Sequence, residues 1–510
     1  MKHIKLFFFL FSTLIVVSCT KLDESFRSEL EQNNSATITA TQLLLSAYNS
    51  INGPYQFGNF WHASEHTTDE LIAPTRASDW DDNGQWRALH AHTWNADQNQ
   101  IRGAFSNLLS AQFTASNVLQ FSPSTQQAAE ARFIRALTMH SVLDGWNQVP
   151  YRDQENLTKY KTLPVTLKGT EAIDFITGEL NGIINDLPDN VAAYVANKNA
   201  ARALLMKIYL NKGVYANRAT PTFDAADMNQ VITLADAVIG SGKYSLNNVF
   251  FDNFAPDNDA KSKENIYTLY NQNGDRGGGV SNGTSQVFHY NMNQSGNNGF
   301  ATLSDFYDKF EETDQRRGMY YAYAAGLPNP GKRVNVGFLI GQQYDLKTDV
   351  PLKDRKGNPL SFKREVHLRE TGSDLEITGI RPTKYPYDYA HLNQQNDNDF
   401  VIFRYADVLL MKAEALLRTN KAADALLIVN QIRAIRGATP LASVDLNTLL
   451  DERGREMYLE GWRRNDLIRF GKFLQAWQEK AADADQKNLL FPIPSDQLAV
   501  NPNLVQNPGY

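Results

Sequence analysis

The chain of 510 residues reads as mostly α-helical: a body of repeated helical hairpins carrying a loop-rich insert with short strands. Three observations predict this fold class. Apolar residues recur at spacings of three and four over most of the first 245 positions and again beyond residue 400. Near the C-terminal end a long helix, a short turn and a second helix follow one another, with alanines where the two would cross. Between about residues 249 and 399 the helical period fades, and Gly, Asn, Asp and Tyr dominate.

Taken in order, Leu43, Leu44, Ala47 and Ile51 share one helical face, and a second helix is predicted near residues 104–119. A third covers 128–143, with Ala131, Ile134, Arg135, Leu137, Thr138 and Val142 spaced by threes and fours, and Gly145 and Pro150 stop it. The pattern continues over 171–187, ended by Pro188, and over 200–210, which 228–239 completes as a pair. The strongest stripe is Ala406, Leu409, Leu410, Ala413, Leu416 and Leu417. Asn420 turns the chain, and 422–435 returns with Ala425, Leu426, Val429 and Ile432 inward. Such a hairpin resembles a tetratricopeptide unit. Leu204-Leu205-Met206-Lys207 recurs as Leu409-Leu410-Met411-Lys412, each inside the first helix of a pair, which points to degenerate tetratricopeptide-like repeats. In the insert, 266–270 reads as a short strand, and the loops are where a binding surface is expected.

The first residues bear on compartment. Lys2 and Lys5 open an apolar run over 6–17, which fits a signal-peptide core and falls short of the ~20 residues that span a bilayer. Val16-Val17-Ser18-Cys19 resembles a bacterial lipobox, and Cys19 is the only cysteine, so no internal disulfide can form. We expect a signal peptide over 1–18, lipidation of Cys19 and a tether over 19–36; an ordinary signal peptide with an incidental cysteine is the alternative. Thr20-Lys21-Leu22-Asp23-Glu24 resembles the surface-export signal of Bacteroidetes lipoproteins. The expected location is the exterior of an outer membrane, with the lipid anchor as the sole membrane contact. Beyond the tether, one helical region is expected over 37–245 and a second over 246–510, the latter holding the insert (249–399) and a helical end (400–510). The formal net charge is −6, and −8 once Lys2 and Lys5 leave with the signal peptide, which argues against nucleic acid as a partner.

Three short motifs suggest catalysis or metal binding, and their surroundings argue against each. Gly279-Val280-Ser281-Asn282-Gly283 fits a nucleophile elbow, but a Gly-rich loop precedes it where a buried strand is required. His62-Ala63-Ser64-Glu65-His66 could offer two histidines to zinc from one helical face, yet no third ligand stands out, and a surface histidine pair is expected. Asp79-Trp80-Asp81-Asp82-Asn83-Gly84 matches the first half of a calcium loop, but His90 stands where the bidentate glutamate belongs, so an acidic solvated turn is expected. No catalytic residue, metal or cofactor is expected, and the chain reads as a binding protein. A secreted glycosidase is the enzymatic alternative, because its chemistry needs only two suitably placed carboxylates. The helical repeats speak against it.

The same acidic segment is more informative as a recognition loop. Trp61, Trp80, Trp86 and Trp94 are four of only seven tryptophans, with Arg76, Asp79, Asp81, Asp82, Asn83, Arg87, His90, His92 and Asn95 among them. Sugars present C–H faces and a rim of hydroxyls, which flat aromatics with Asp, Asn and Arg can hold. Ligand contacts are expected at Arg76, Asp79, Trp80, Asp81, Asn83 and Trp86, with the Trp80 ring in solvent. Core packing is the alternative use of each tryptophan, and Trp146 reads as structural.

Several longer stretches carry a family resemblance. They include Thr68-Asp69-Glu70, Glu130-Ala131-Arg132-Phe133-Ile134-Arg135-Ala136-Leu137 and Gly145-Trp146-Asn147-Gln148-Val149-Pro150. More specific are Phe403-Arg404-Tyr405-Ala406-Asp407-Val408-Leu409-Leu410-Met411-Lys412-Ala413-Glu414-Ala415, Glu452-Arg453 and Glu460-Gly461-Trp462-Arg463-Arg464-Asn465-Asp466-Leu467-Ile468-Arg469-Phe470-Gly471. Phe491-Pro492-Ile493-Pro494, Asn501-Pro502 and Gln506-Asn507-Pro508-Gly509-Tyr510 complete the set. With these, the chain after Cys19 resembles the SusD/RagB family of outer-membrane nutrient-binding lipoproteins. The resemblance implies a tetratricopeptide-like helical fold and a partner, a TonB-dependent transporter of the SusC type, to which an oligosaccharide is delivered. A peptide is the alternative ligand. Family ligand contacts lie in variable loops, so the six residues above rest on chemistry alone. Read from the residues, Glu456, Glu460, Arg463, Arg464, Asp466 and Arg469 form a charged lattice at helical spacing, expected to pin the last helices by paired, partly buried ions.

Overall fold

Helices form where the apolar period of three and four is sustained. They are α1 (Ala40–Ser50), α2 (Asn59–Glu65), α3 (Asn99–Val118), α4 (Thr125–Trp146), α5 (Gly169–Ile183), α6 (Lys198–Ala216) and α7 (Ala225–Gly240) in the first half. The second half adds α8 (Val280–Val287), α9 (Tyr405–Arg418), α10 (Ala422–Ile435), α11 (Leu446–Met457) and α12 (Arg463–Arg469). The computed structural model describes residues 38–159, 161–292, 294–322, 330–391 and 395–510. The expected signal peptide, Cys19 and the tether over 19–36 lie outside them. Ala40–Tyr510 forms one unit, and no described helix is long and apolar enough to cross a membrane.

Capping residues set the helix ends. Ser124 and Gln127 form a reciprocal capping box at the start of α4, and Asp445 and Thr448 do the same for α11. Asn197 accepts the amides of Asn199 and Ala200 to open α6, and Asp224 opens α7. Asn147 (φ 60°) ends α4, and Asn420 (φ 61°) makes the expected turn between α9 and α10, both in the left-handed region that asparagine tolerates. α4 is buried along most of its length, with Trp146 fully enclosed, so it is the central helix.

Successive helices pack as neighbours: α1 on α3, α3 on α4, α4 on α5, α5 on α6, α6 on α7, α7 on α9, and α9 on α10 and α11. The two hairpins that share the Leu-Leu-Met-Lys echo, α6–α7 and α9–α10, are thus joined through α7 and α9. Hairpins stacked in this way bury faces that none could bury alone. The insert is tied to this body at both ends by one antiparallel pair, Asn265–Leu269 with Phe400–Arg404, both fully buried. Within it lie a three-stranded sheet ordered Arg381–Thr383, Val336–Leu339, Gly318–Met319 and a small pair, Gly341–Gln342 with Ser361–Phe362. Thr75–Arg76 pairs in parallel with Arg369–Glu370, joining the tryptophan-rich loop to the insert.

The charged lattice is buried more completely than its spacing suggests. Glu456 receives Arg404 (2.6 Å), Arg436 (2.8 Å) and Arg316 (2.9 Å), and all four side chains are excluded from solvent. Arg453 holds Asp407 and Asp466, and Arg469 holds Glu414 and Asp466. Arg463 reaches Asp69 in the N-terminal half through both carboxylate oxygens at 2.7 Å. Arg464 differs: it donates to the Leu489 carbonyl and lies 4.1 Å from the Phe491 ring centroid. Such pairs fix which helix meets which, because an unpaired partner would be costly in this dielectric.

Candidate functional site

The tryptophan-rich loop and the loops of the insert meet around a cleft of about 330 Å³, whose lining includes Arg76, Asp79, Tyr290, Arg355, Lys356 and Glu376. Arg76 builds its floor. The guanidinium is buried and donates to the carbonyls of Asn298 (3.0 Å), Gly299 (2.7 Å) and Thr378 (2.8 Å), so one side chain ties its own loop to two others. Burial lowers its pKa to about 10, which leaves it charged at neutral pH. Arg381 adds hydrogen bonds to Asn298 Oδ1 (2.8 Å) and the Glu376 carbonyl (3.0 Å).

On this floor stands Tyr290. Its hydroxyl donates to Asp79 Oδ2 at 2.9 Å, and the Arg355 guanidinium carbon lies 4.0 Å from its ring centroid. Arg355 is held in turn by Glu376, which accepts its Nε–H at 2.7 Å and its backbone amide at 3.2 Å. Glu376 also receives His289 Nε2–H at 2.9 Å; the Asn291 amide donates to His289 Nδ1 at 3.1 Å, which fixes the tautomer. Burial lowers the His289 pKa, and the ring is neutral. Burial would raise the Glu376 pKa, but the Arg355 hydrogen bonds outweigh it and hold the carboxyl below its usual range. For Tyr290, burial and then the Asp79 carboxylate raise the phenol pKa, so the hydroxyl remains a donor. The cleft offers a half-buried aromatic ring rimmed by a carboxylate, a guanidinium and an ammonium. This combination is suited to holding and orienting a ligand with an apolar face and polar edges.

Of the six residues expected to contact ligand, Arg76 and Asp79 line the cleft. Trp80 follows Asp79 in the chain but is not among the residues that line the cleft, and its ring is half-buried where a solvent-exposed ring was expected. Its indole N–H donates to the Asn297 carbonyl (2.9 Å), and the ring packs on Phe300 (5.0 Å) and Trp86 (5.7 Å). Gly299 permits this, since a Cβ there would come within 2.3 Å of the indole. Trp86 is buried, with its N–H on Asp82 Oδ2 at 2.8 Å. Asp81 is engaged by Arg87 (2.8 Å) and Arg369 (3.3 Å), and Asn83 is exposed beyond the cleft. Sequence reasoning missed Tyr290, Arg355 and Glu376. The one signal available was an aromatic residue in a Gly/Asn-rich stretch.

The motifs fare as follows. His62 and His66 are buried among Trp61, Trp86 and Phe300, which corrects the expected surface pair. His62 lies in α2 and His66 caps its C-terminal end; burial lowers the His62 pKa to about 3 and holds that of His66 well below its usual value. Gly279–Gly283 is also corrected, because Val280–Val287 is the helix α8 and not a loop; Val280, Thr284 and Val287 bury one face of it. Ser281 Oγ donates to the Gly278 carbonyl at 3.0 Å. In the calcium-like loop Asp79, Asp81 and Asp82 face Tyr290, arginines and Trp86, and do not converge. Among the described residues, Asp388, His391 and Asp397 bring three ligand-type atoms together, with His391 Nδ1 bonded to Asp388 at 2.7 Å.

The model of the SusD family matches residues 247–510. The starch-binding protein SusD of Bacteroides thetaiotaomicron is 28% identical over 431 residues, covering 76% of this chain and 73% of that protein. Among solved structures, a SusD superfamily protein from Parabacteroides distasonis superposes with a TM-score of 0.70 at 19% identity, over 92% of this chain and 98% of that one. A laminarin-binding SusD-like protein gives a TM-score of 0.66 at 19% identity, over 92% and 99%.

Proposed function

The chain belongs to the SusD family, and on that premise we propose that it is a cell-surface lipoprotein that binds an oligosaccharide and passes it to a TonB-dependent transporter of the SusC type. The observation that carries the binding step is the clamped Tyr290: a ring held between Asp79 and Arg355 in an open cleft, with donors and acceptors around it. Sugars need this pairing of an apolar face with a polar rim. The starch and laminarin ligands of the two named relatives support a glycan as the class. We place Asp79, Trp80, Tyr290, Arg355 and Lys356 at the ligand, with Arg76 and Glu376 positioning them. Cys19 carries the lipid that keeps the protein at the outer membrane, facing outward. The protein binds its glycan without cleaving it.

The test is direct titration. The body lacking residues 1–19 is purified and mixed with soluble starch, laminarin and a panel of other polysaccharides and peptides. Saturable glycan binding that Tyr290→Ala weakens about 10-fold or more, the scale of an aromatic anchor, supports the proposal. Binding to peptides alone would overturn it.

A further inference from the structure

A second cleft, of about 340 Å³, opens between the 303–309 segment, α11, α12 and the 472–477 turn. It shares no residue with the Tyr290 cleft. Leu303, Phe306, Leu450 and Leu467 form its buried apolar floor. Trp477 walls it, half-exposed, with Lys480 over one side of the ring at 4.2 Å from the centroid. The Trp477 indole N–H is out of contact with solvent and has no hydrogen-bond partner among the described residues, a costly state for a donor.

The rim decides what could fill this space. Its inner charges are neutralised: Asp69 by Arg463 at 2.7 Å, and Asp451 by Lys309 at 2.7 Å. Asp305, Asn447, Lys472 and Gln475 complete the rim, and their side chains make no hydrogen bond with described residues. Together they offer one net-neutral set of donors and acceptors above an apolar floor and an indole. An anion would meet Asp305, and a purely apolar group would leave the rim unmatched. At the low end of the ~300–1,000 Å³ usual for small-ligand sites, the volume, like that of the Tyr290 cleft, encloses about one sugar ring at a time.

We infer that this cleft is a second carbohydrate site, which takes one pyranose ring of an uncharged sugar against Trp477. The inference deepens the glycan-binding proposal and rests on it for the class of ligand. The body lacking residues 1–19, labelled with fluorotryptophan, gives fluorine NMR signals, and Trp477→Phe assigns the Trp477 signal by its loss. Methyl glycosides of glucose, galactose, mannose and glucuronic acid are the probes. At least one neutral glycoside is expected to shift the Trp477 signal saturably. Combined Lys472→Ala and Gln475→Ala should weaken that response at least 10-fold, and Tyr290→Ala should leave it unchanged. A Trp477 signal unmoved by every neutral glycoside, or moved only by the glucuronide, overturns the inference. The two proposals fail separately. Polysaccharide binding lost with Tyr290→Ala while Trp477 stays silent removes only the second site. A Trp477 response with polysaccharide binding indifferent to Tyr290→Ala removes only the first.

Discussion

The Tyr290 hydroxyl donates to Asp79 Oδ2 at 2.9 Å, joining two loops that lie 211 positions apart in the chain. Tyr290→Phe removes this bond and keeps the ring, so glycan affinity should fall only a few-fold. Tyr290→Ala removes the ring as well and should cost about 1–3 kcal/mol of binding. Titration of both variants checks the order; equal losses would assign the effect to the hydroxyl and not to stacking.

Trp80 should behave as a mixed residue. Its ring packs on Phe300 and Trp86, and it adjoins Asp79 of the cleft in the chain. Trp80→Ala is expected to lower stability by about 1–3 kcal/mol, below the ~3–5 kcal/mol of a fully buried aromatic, and to weaken glycan binding too. Melting and binding measured on one preparation test this. Unchanged melting would mean that the ring contributes nothing to the packing seen here.

Glu456 is the hub of the buried lattice. Glu456→Gln leaves Arg404, Arg436 and Arg316 without a shared counter-charge and should destabilise by about 3–5 kcal/mol. Chemical denaturation gives the value, and a loss under ~1 kcal/mol would show that the network tolerates a missing anion.

Stability should also depend on pH through Glu65 and Glu70. Glu65 accepts the Gly461 amide and Glu70 the Leu459 amide, while Glu65 Oε2 and Glu70 Oε1 are buried without a hydrogen-bond donor, Arg463 lying 3.8 Å from the latter. Burial raises the Glu65 pKa to about 7 and raises that of Glu70 well above its usual value, with each carboxyl beside the other. A carboxyl whose folded pKa exceeds its unfolded one contributes stability below the unfolded value and loses it as pH rises through the folded value. The body should therefore lose stability between about pH 4.5 and 7 through this pair. Glu65→Gln keeps a donor between the two and should flatten that slope while leaving glycan binding intact. Thermal melts across pH on both proteins decide it; an unchanged slope in the variant would clear the pair of any role.

Cys19→Ala should leave the precursor uncleaved or the protein released from membranes. Intact-mass analysis of the mature wild-type chain checks the anchor, and an N-terminus at residue 19 without acyl mass would contradict it.

The long helices were legible because their apolar spacing is sustained over many turns, so Leu409, Ala413 and Leu416 repeat the same message, whereas the two turns of α8 were too short to do so. The lattice was legible only in part: Glu456, Glu460, Arg463 and Asp466 stand close together in the chain, but the arginines that meet Glu456, Arg436, Arg404 and Arg316, lie 20, 52 and 140 positions away. The cleft was not. Tyr290 meets Arg355 across 65 positions, and both sit in turns outside any helix or strand, which leave no period to read. His62 and His66 misled because two histidines at helical spacing look the same whether they face solvent or an aromatic core. Trp80 was drawn toward solvent by its acidic neighbours, whereas Gly299, over two hundred residues away, opens the slot that receives it.

The most direct test of the central claim is isothermal titration of soluble glycans, beginning with starch and laminarin, into the body lacking residues 1–19 and into its Tyr290→Ala variant. Saturable binding by the first, weakened about 10-fold or more in a variant that melts like it, is the expected result. Equal binding by both proteins, or no binding to any glycan by a folded body, would contradict it.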